Sequence, residues 1–346
     1  MKNDFKKYKY SKLIQAKTIA YQKGFSLLEL MITAAIGLVL FAGVLSVFVG
    51  MQSTVKETSG YGELQENARF AISVLTDDLL HQNFWGDYSG SLNLSSLDQA
   101  PNPAGVECTG GGVNNGTYPL AVGEFRTLWG ETSAAAAAPA TVGTTTMSCI
   151  NDAVPNSDVI QLKRVIARPL AAATANFSYF MANADTGALY KVPVVAPNVV
   201  PVIANSRIWQ YQHHVYYVRE SFDVPVLMQW RLTNQMSVAP IIEGIERIYF
   251  MYGISNVIDP TAAGYGVVNA YVSAANMTQA LWDNTNSNIV AVKMYILARS
   301  ILPDNKYENK NTYKLGDQVD YTPDDNYRRL LLSSTVTLYN SEIDAW

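Results

Sequence analysis

The most unusual chemical group in this sequence is a single carboxylate in an apolar run. From Phe25 to Val55 the only charged side chain is Glu29, set among Leu, Ile, Val, Ala, Phe and Gly. Moving a carboxylate into an apolar medium costs a few kcal/mol, so such a group is usually kept for function. Two fates are open to it: pairing with a cation from another chain, or reaching back to a polar boundary. Other reactive side chains are sparse. Cys108 and Cys149 are the only cysteines, and the histidines are His81, His213 and His214. His213 and His214 are neighbours in an extended segment, where successive side chains face opposite ways, so they do not share a metal. His81 follows a helical stretch and reads as a surface or capping group. Asp324-Asp325 reads as a turn. The sequence has no phosphate loop, no zinc-ligand spacing and no Gly-x-Ser-x-Gly elbow. The expectation is a chain with no catalytic residue, no cofactor and no metal.

The element that must hold Glu29 is a helix. Residues 30–55 carry no charge, and as a helix they span roughly 39 Å, more than the ~30 Å hydrocarbon core of a bilayer. A lone span in lipid has to satisfy its own backbone, which only a helix does. Residues 1–24 hold seven lysines (Lys2, Lys6, Lys7, Lys9, Lys12, Lys17, Lys23) against Asp4, a net +6; the whole chain carries −4, leaving −10 for the rest. That asymmetry orients residues 1–24 toward the cytoplasm and the acidic body across the membrane. An acidic body also argues against broad binding to nucleic acid or anionic lipid. A cleaved secretory signal has an apolar run of only roughly 7–15 residues, and Phe48-Val49-Gly50-Met51-Gln52 offers no small-x-small site. An ordinary signal anchor fits the length and the lysines but leaves Glu29 unexplained. In an exported body the pair Cys108 and Cys149 reads as a disulfide, worth about 4 kcal/mol in the chain-entropy model. Two unpaired buried thiols are the alternative.

The run Lys23-Gly24-Phe25-Ser26-Leu27-Leu28-Glu29-Leu30 resembles the prepilin peptidase site of type IV pilins and type II secretion pseudopilins. The resemblance implies cleavage between Gly24 and Phe25 and N-methylation of Phe25. It also implies an assembly contact between Glu29 and the Phe25 amine of a neighbouring subunit. Opposite charges that each cost much alone in a low-dielectric helix bundle cost far less together. Ser26 departs slightly from the family, where Thr is commoner in major pilins.

Beyond the apolar run, Leu64, Ala68, Ala71 or Ile72, Leu75 and Leu79 recur at helical spacing and predict a core-facing stripe over 63–82. Gly60 and Gly62 predict a kink or local melting near 59–62. Residues 83–147 read as loop, with Asn93-Leu94-Ser95-Ser96, Pro101-Asn102-Pro103, Gly110-Gly111-Gly112 and the Ala134–Ala138 run. Alternating or β-branched segments at 159–166, 224–233, 248–252, 290–296 and 330–338 predict antiparallel strands. The fold class is α+β: a long N-terminal transmembrane and amphipathic helix packed on an antiparallel β-sheet globular domain. The expected organisation is a cytoplasmic leader (1–24), a helix (25–82, with 25–58 the transmembrane and assembly stem), and a periplasmic β-rich domain (83–346).

The body narrows the resemblance. Glu66-Asn67-Ala68-Arg69-Phe70-Ala71, Ser157-Asp158-Val159-Ile160, Glu243-Gly244-Ile245-Glu246, Ile289-Val290-Ala291-Val292-Lys293 and Tyr327-Arg328-Arg329 to Val336 occur in the order seen in PilW-family minor pilins. The stretches around 90–150 and 167–222 show no clear match. Asp259-Pro260-Thr261-Ala262-Ala263-Gly264 supplies one carboxylate where many relatives have an acidic loop, too few for a hard cation. What the resemblance implies is a minor pilin that primes type IV pilus assembly at or near the tip. It would start in the inner membrane, with prepilin peptidase, other minor pilins, the major pilin and a PilY-type tip adhesin as partners and no nucleic acid. A minor pseudopilin of a type II secretion system is the nearest alternative. An adhesin or DNA-binding tip module is one of another class.

Overall fold

The structure is a computed structural model that describes residues 24–90, 92, 101–103, 105–134, 146–195, 199–284 and 287–340. The lysine-rich leader up to residue 23, the Asn93–Ser96 turn and most of the Ala134–Ala138 run lie outside the described residues. The chain divides into two compact units, one ending at Thr58 and the other beginning at Ser59.

Helix α1, Leu27–Leu80, contributes to both units. Ser26 is its N-cap: the Leu28 N–H donates to Ser26 Oγ at 3.2 Å, and the Leu30 N–H to the Ser26 carbonyl at 3.1 Å. Thr33, Thr54 and Thr58 each donate a hydroxyl to a carbonyl one turn back, at 2.9, 3.1 and 2.9 Å. These threonine hydroxyls are therefore satisfied within the helix itself. Every described side chain from 24 to 58 is exposed. The local melting expected near 59–62 is not seen, since Gly60 and Gly62 both lie inside α1. Each glycine costs about 1 kcal/mol in a helix, and the flanking turns outweigh it.

In the second unit the helical stripe is buried as expected, through Leu64, Ala68, Ala71, Leu75 and Leu79. Ala71 takes the innermost place and Ile72 is only partly covered. Seven strands make one sheet: β1 (Leu128–Thr132), β2 (Asp158–Val165), β3 (Phe177–Ala182), β4 (Gly187–Val192), β5 (Arg207–Ser221), β6 (Val224–Leu232) and β7 (Met236–Glu243). Their order is β1-β2-β5-β3-β4, with β6 joining β5 to β7. The second sheet has β8 (Ile245–Ser255), β9 (Ala270–Ser273), β10 (Asn288–Arg299) and β11 (Arg329–Thr337) in the order β11-β10-β8-β9, with a short helix α2 (Gln279–Trp282) before β10. All the ladders are antiparallel. One apolar core joins the α1 stripe to both sheets, through residues such as Val215, Leu227, Ile248, Phe250 and Met294.

The five expected strands are β2, β6, β8, β10 and β11. The loop-like reading of 83–147 missed β1, whose period is interrupted by Gly130. A Cβ there would collide with the Tyr252 hydroxyl, so the glycine serves packing. The stretch 167–222 contains β3 and β4, which the sequence pattern does not announce, and β5, whose extended backbone is expected only around His213 and His214; β7 and β9 are also unannounced. β5 holds together because β2, β3 and β6 all pair with it; no local pattern announces three partners.

Candidate functional site

Gly24 and Phe25 stand just before the first turn of α1, and Phe25 is 83% exposed. Glu29 lies in that first turn, where unpaired backbone N–H groups favour negative charge. Ser26-Leu27-Leu28-Glu29 has the Ser-x-x-Glu spacing of a helix start, a signal the sequence reading passed over. From Leu27 onward the apolar side chains of this unit have no cover inside the molecule: Leu30, Ile36, Leu40, Val44 and Phe48 are all exposed. The helix is long and apolar enough to cross a membrane by length and composition.

In the body, the part of α1 beyond Ser59 is pinned by Asp78. Its Oδ1 accepts from Arg164 Nε at 2.6 Å, while Oδ2 contacts His214 Nδ1 at 2.6 Å and accepts from the Tyr216 hydroxyl at 2.8 Å. Gln229 donates to the same hydroxyl at 2.7 Å. Arg164 is on β2, His214 and Tyr216 on β5 and Gln229 on β6, so the carboxylate ties the helix to two strands directly and to a third through the Tyr216 hydroxyl. Burial alone would push the Asp78 carboxyl up, but His214 and Arg164 beside it hold it well below the usual range.

A second junction joins the sheets. Ser157 Oγ accepts from the Ile248 N–H at 3.1 Å and donates to its carbonyl at 3.3 Å. Asp158 Oδ2 accepts from the Phe250 N–H at 2.8 Å, and Oδ1 from the Thr132 hydroxyl at 2.6 Å. Side chains at the start of β2 thus complete backbone hydrogen bonding on β8. Among the described residues no cation is bonded to Asp158, and burial pushes its carboxyl up to about 7.

The third cluster sits at the start of β11. Arg329 forms paired hydrogen bonds with Glu246 (2.6 and 2.8 Å) and with Asp325 (2.6 and 2.7 Å). Burial disfavours its charge, but the two carboxylates hold its pKa above that of a free guanidinium. Asp325 therefore does more than turn the chain, which corrects the reading of Asp324-Asp325. Asp324, at φ 49°, is the turn residue.

Cys108 and Cys149 form a disulfide with Cα atoms 4.8 Å apart. His213 and His214 do part to different environments. His213 is fully buried beside the Thr117 hydroxyl, and burial pushes its pKa well down. His81 caps the end of α1 through the Asp77 carbonyl at 2.7 Å. The Asp259 carboxylate accepts from the Thr261 N–H and hydroxyl. A cleft of about 890 Å³ reaches Arg126, whose guanidinium is bound by Asp283, Gln279 and the Gly111 carbonyl. Among the described residues no group of three or more His, Cys, Asp or Glu is placed to hold a metal ion.

Two family models match. Residues 19–45 match the prokaryotic N-terminal methylation motif, and residues 215–340 match PilW, type IV pilus-assembly protein W. No curated protein and no solved structure matches. The PilW match takes in β6 to β11 and the second half of β5 from Val215, including Glu246, Asp325 and Arg329. The methylation match spans Gly24, Phe25 and Glu29 at the start of a helix that fits a membrane-anchored pilin. With both in one chain, the two matches support a type IV pilus minor pilin of the PilW family.

Proposed function

We propose that this subunit primes type IV pilus assembly and stays at or near the filament tip, after prepilin peptidase cuts between Gly24 and Phe25. Before the cut, the chain is a single-pass inner-membrane protein with its body in the periplasm. The cut removes six net positive charges, frees the Phe25 amine for N-methylation and leaves Glu29 one turn away from it in sequence. Residues 25–58 then exchange lipid for the stems of other minor pilins and the major pilin. Glu29 meets the Phe25 amine of a neighbour, and the body contacts a PilY-type tip adhesin. The observation that carries this reading is the uncovered apolar helix with one charge, in the same chain as a methylation motif. Such a surface has to be covered by something outside the molecule.

The test is deletion of the gene, scored for surface pili and twitching, and complementation with Glu29→Val. Deletion is expected to reduce piliation sharply. The Glu29→Val protein is expected to be cleaved normally yet to restore fewer than a tenth of the pili. Normal piliation with a secretion defect would assign the chain to a pseudopilus instead, and full rescue by Glu29→Val would remove the proposed ion pair.

A further inference from the structure

The β5–β6 hairpin ends in a costly turn. Ser221 pairs with Val224, so the loop is the two residues Phe222 and Asp223, both left-handed at φ 51° and 62°. Such turns favour Asn-Gly, because only small or self-bonding residues take positive φ easily. Here the first position holds a phenylalanine that is 99% exposed. It is strained and covered by nothing.

The turn is nevertheless held in place. Arg299, at the end of β10, donates to the Asp223 carbonyl and pairs with Glu220 at 3.5 Å and Glu246 at 3.8 Å. The chain leaves Arg299 through Ile301 and Leu302, and Leu302 is 76% exposed. Ile301 lines a cleft of about 450 Å³ with Val226, Ile241, Ile242 and the rim residues Glu63 and Glu243. Asn67 closes one side by donating to the Glu243 carbonyl at 3.3 Å. The surface is therefore an apolar knob and an apolar cleft linked by Arg299. Around them stand the exposed acids Glu63, Glu220, Asp223 and Glu243, while Arg299 is buried and already paired.

We propose that the Phe222 tip and the adjoining cleft form a docking surface for another protein, one that presents an apolar socket bordered by lysine or arginine. The acidic rim selects that partner. It repels a second copy of the same face and an anionic lipid surface, and it attracts a cationic border. An exposed aromatic beside a backbone carbonyl anchored by Arg299 offers a large apolar area for a partner to bury. This contact belongs to the body and does not depend on the stem chemistry.

The experiment places a photo-reactive phenylalanine at 222 in the full-length protein, expressed in its own host, and maps the adduct. Positions 202 and 319 serve as controls, since Val202 and Val319 are 97% and 92% exposed. The expected result is an adduct at 222 at least tenfold above both controls, on a different protein, at a peptide with Lys or Arg beside apolar residues. Glu63→Lys with Glu243→Lys should cut its yield at least fivefold. Phe222→Gly relieves the strained φ, so its Tm should stay the same or rise while recovery of that partner falls tenfold. A yield no greater than the controls, an adduct to lipid or to a second copy, insensitivity to charge reversal, or a lower Tm for Phe222→Gly would each overturn the proposal. The readout is an adduct, so failure here leaves the stem reading standing.

Discussion

Residues 24–58 and the body from Ser59 onward treat charge in opposite ways. The first segment has one carboxylate, Glu29, up to Val55 and leaves every described side chain exposed. The body buries Asp78, Asp158, Lys163, Arg126, Arg329 and Glu246 and gives each a hydrogen-bonding partner inside the fold. A buried charge with partners specifies one arrangement, and breaking it is expensive. An exposed apolar helix specifies none by itself, so its stability comes from whatever surrounds it. The body holds its shape by itself, and the first segment is left to be covered from outside.

The strongest way to break the comparison is to remove a body partner. Asp78→Ala strips Arg164, His214 and Tyr216 of their shared acceptor and is expected to cost about 3–5 kcal/mol, read as a fall in denaturant midpoint. Glu29→Val, by contrast, should leave that midpoint unchanged. Next comes the disulfide: Cys108→Ala with Cys149→Ala should cost about 2–4 kcal/mol, and reduction of the native protein should cause a matching loss. A midpoint insensitive to reductant would contradict a stabilising role for the bridge.

A third prediction compares two carboxylates within the body. Asp78 is depressed by its cations, so its contribution is present above the unfolded carboxylate pKa near 4 and is lost as the pH falls below that. Asp158 is raised to about 7, so the folded state holds a proton that the unfolded state has released between about pH 4 and 7. Its contribution therefore falls as pH rises through that window, by about 1.4 kcal/mol per unit. Asp158→Asn keeps an acceptor for the Phe250 N–H and should flatten that slope in a pH series of unfolding midpoints. The smallest effect is expected from Gly60→Ala with Gly62→Ala. A Cβ at either site meets no atom within 4 Å, so helix propensity should add up to about 1 kcal/mol each. A loss of stability would mean that these glycines serve close approach to a partner.

The outcome for each region follows from where its information resides. The N-terminal segment was legible because its signals are local: the lysines, Gly24-Phe25, Glu29 and an apolar run long enough to cross a bilayer. The helical stripe through Leu64, Ala68, Leu75 and Leu79 and the five alternating strands were legible for the same reason, since burial on one face imposes a period that adjacent residues carry. Two cysteines leave only one intrachain pairing. The helix does not melt at Gly60 and Gly62 because propensity is a weak local penalty that neighbouring turns override.

Tertiary structure alone decided the rest. Asp78, Arg164 and His214 are far apart in sequence, and nothing near any of them marks a shared pin. Lys163 lies fully buried in β2, donating to the Arg126 carbonyl at 2.7 Å, where alternation reads only a polar residue in a strand. Ser157-Asp158 looks like the polar start of a strand until β8 is laid beside it. Phe222 looks like one more aromatic until its turn is seen to be left-handed and uncovered. Sequence by itself determined what each segment prefers to be. Which segments meet, and so which charges are paired and which apolar side chains are left for a partner, depends on distances that only the folded chain sets.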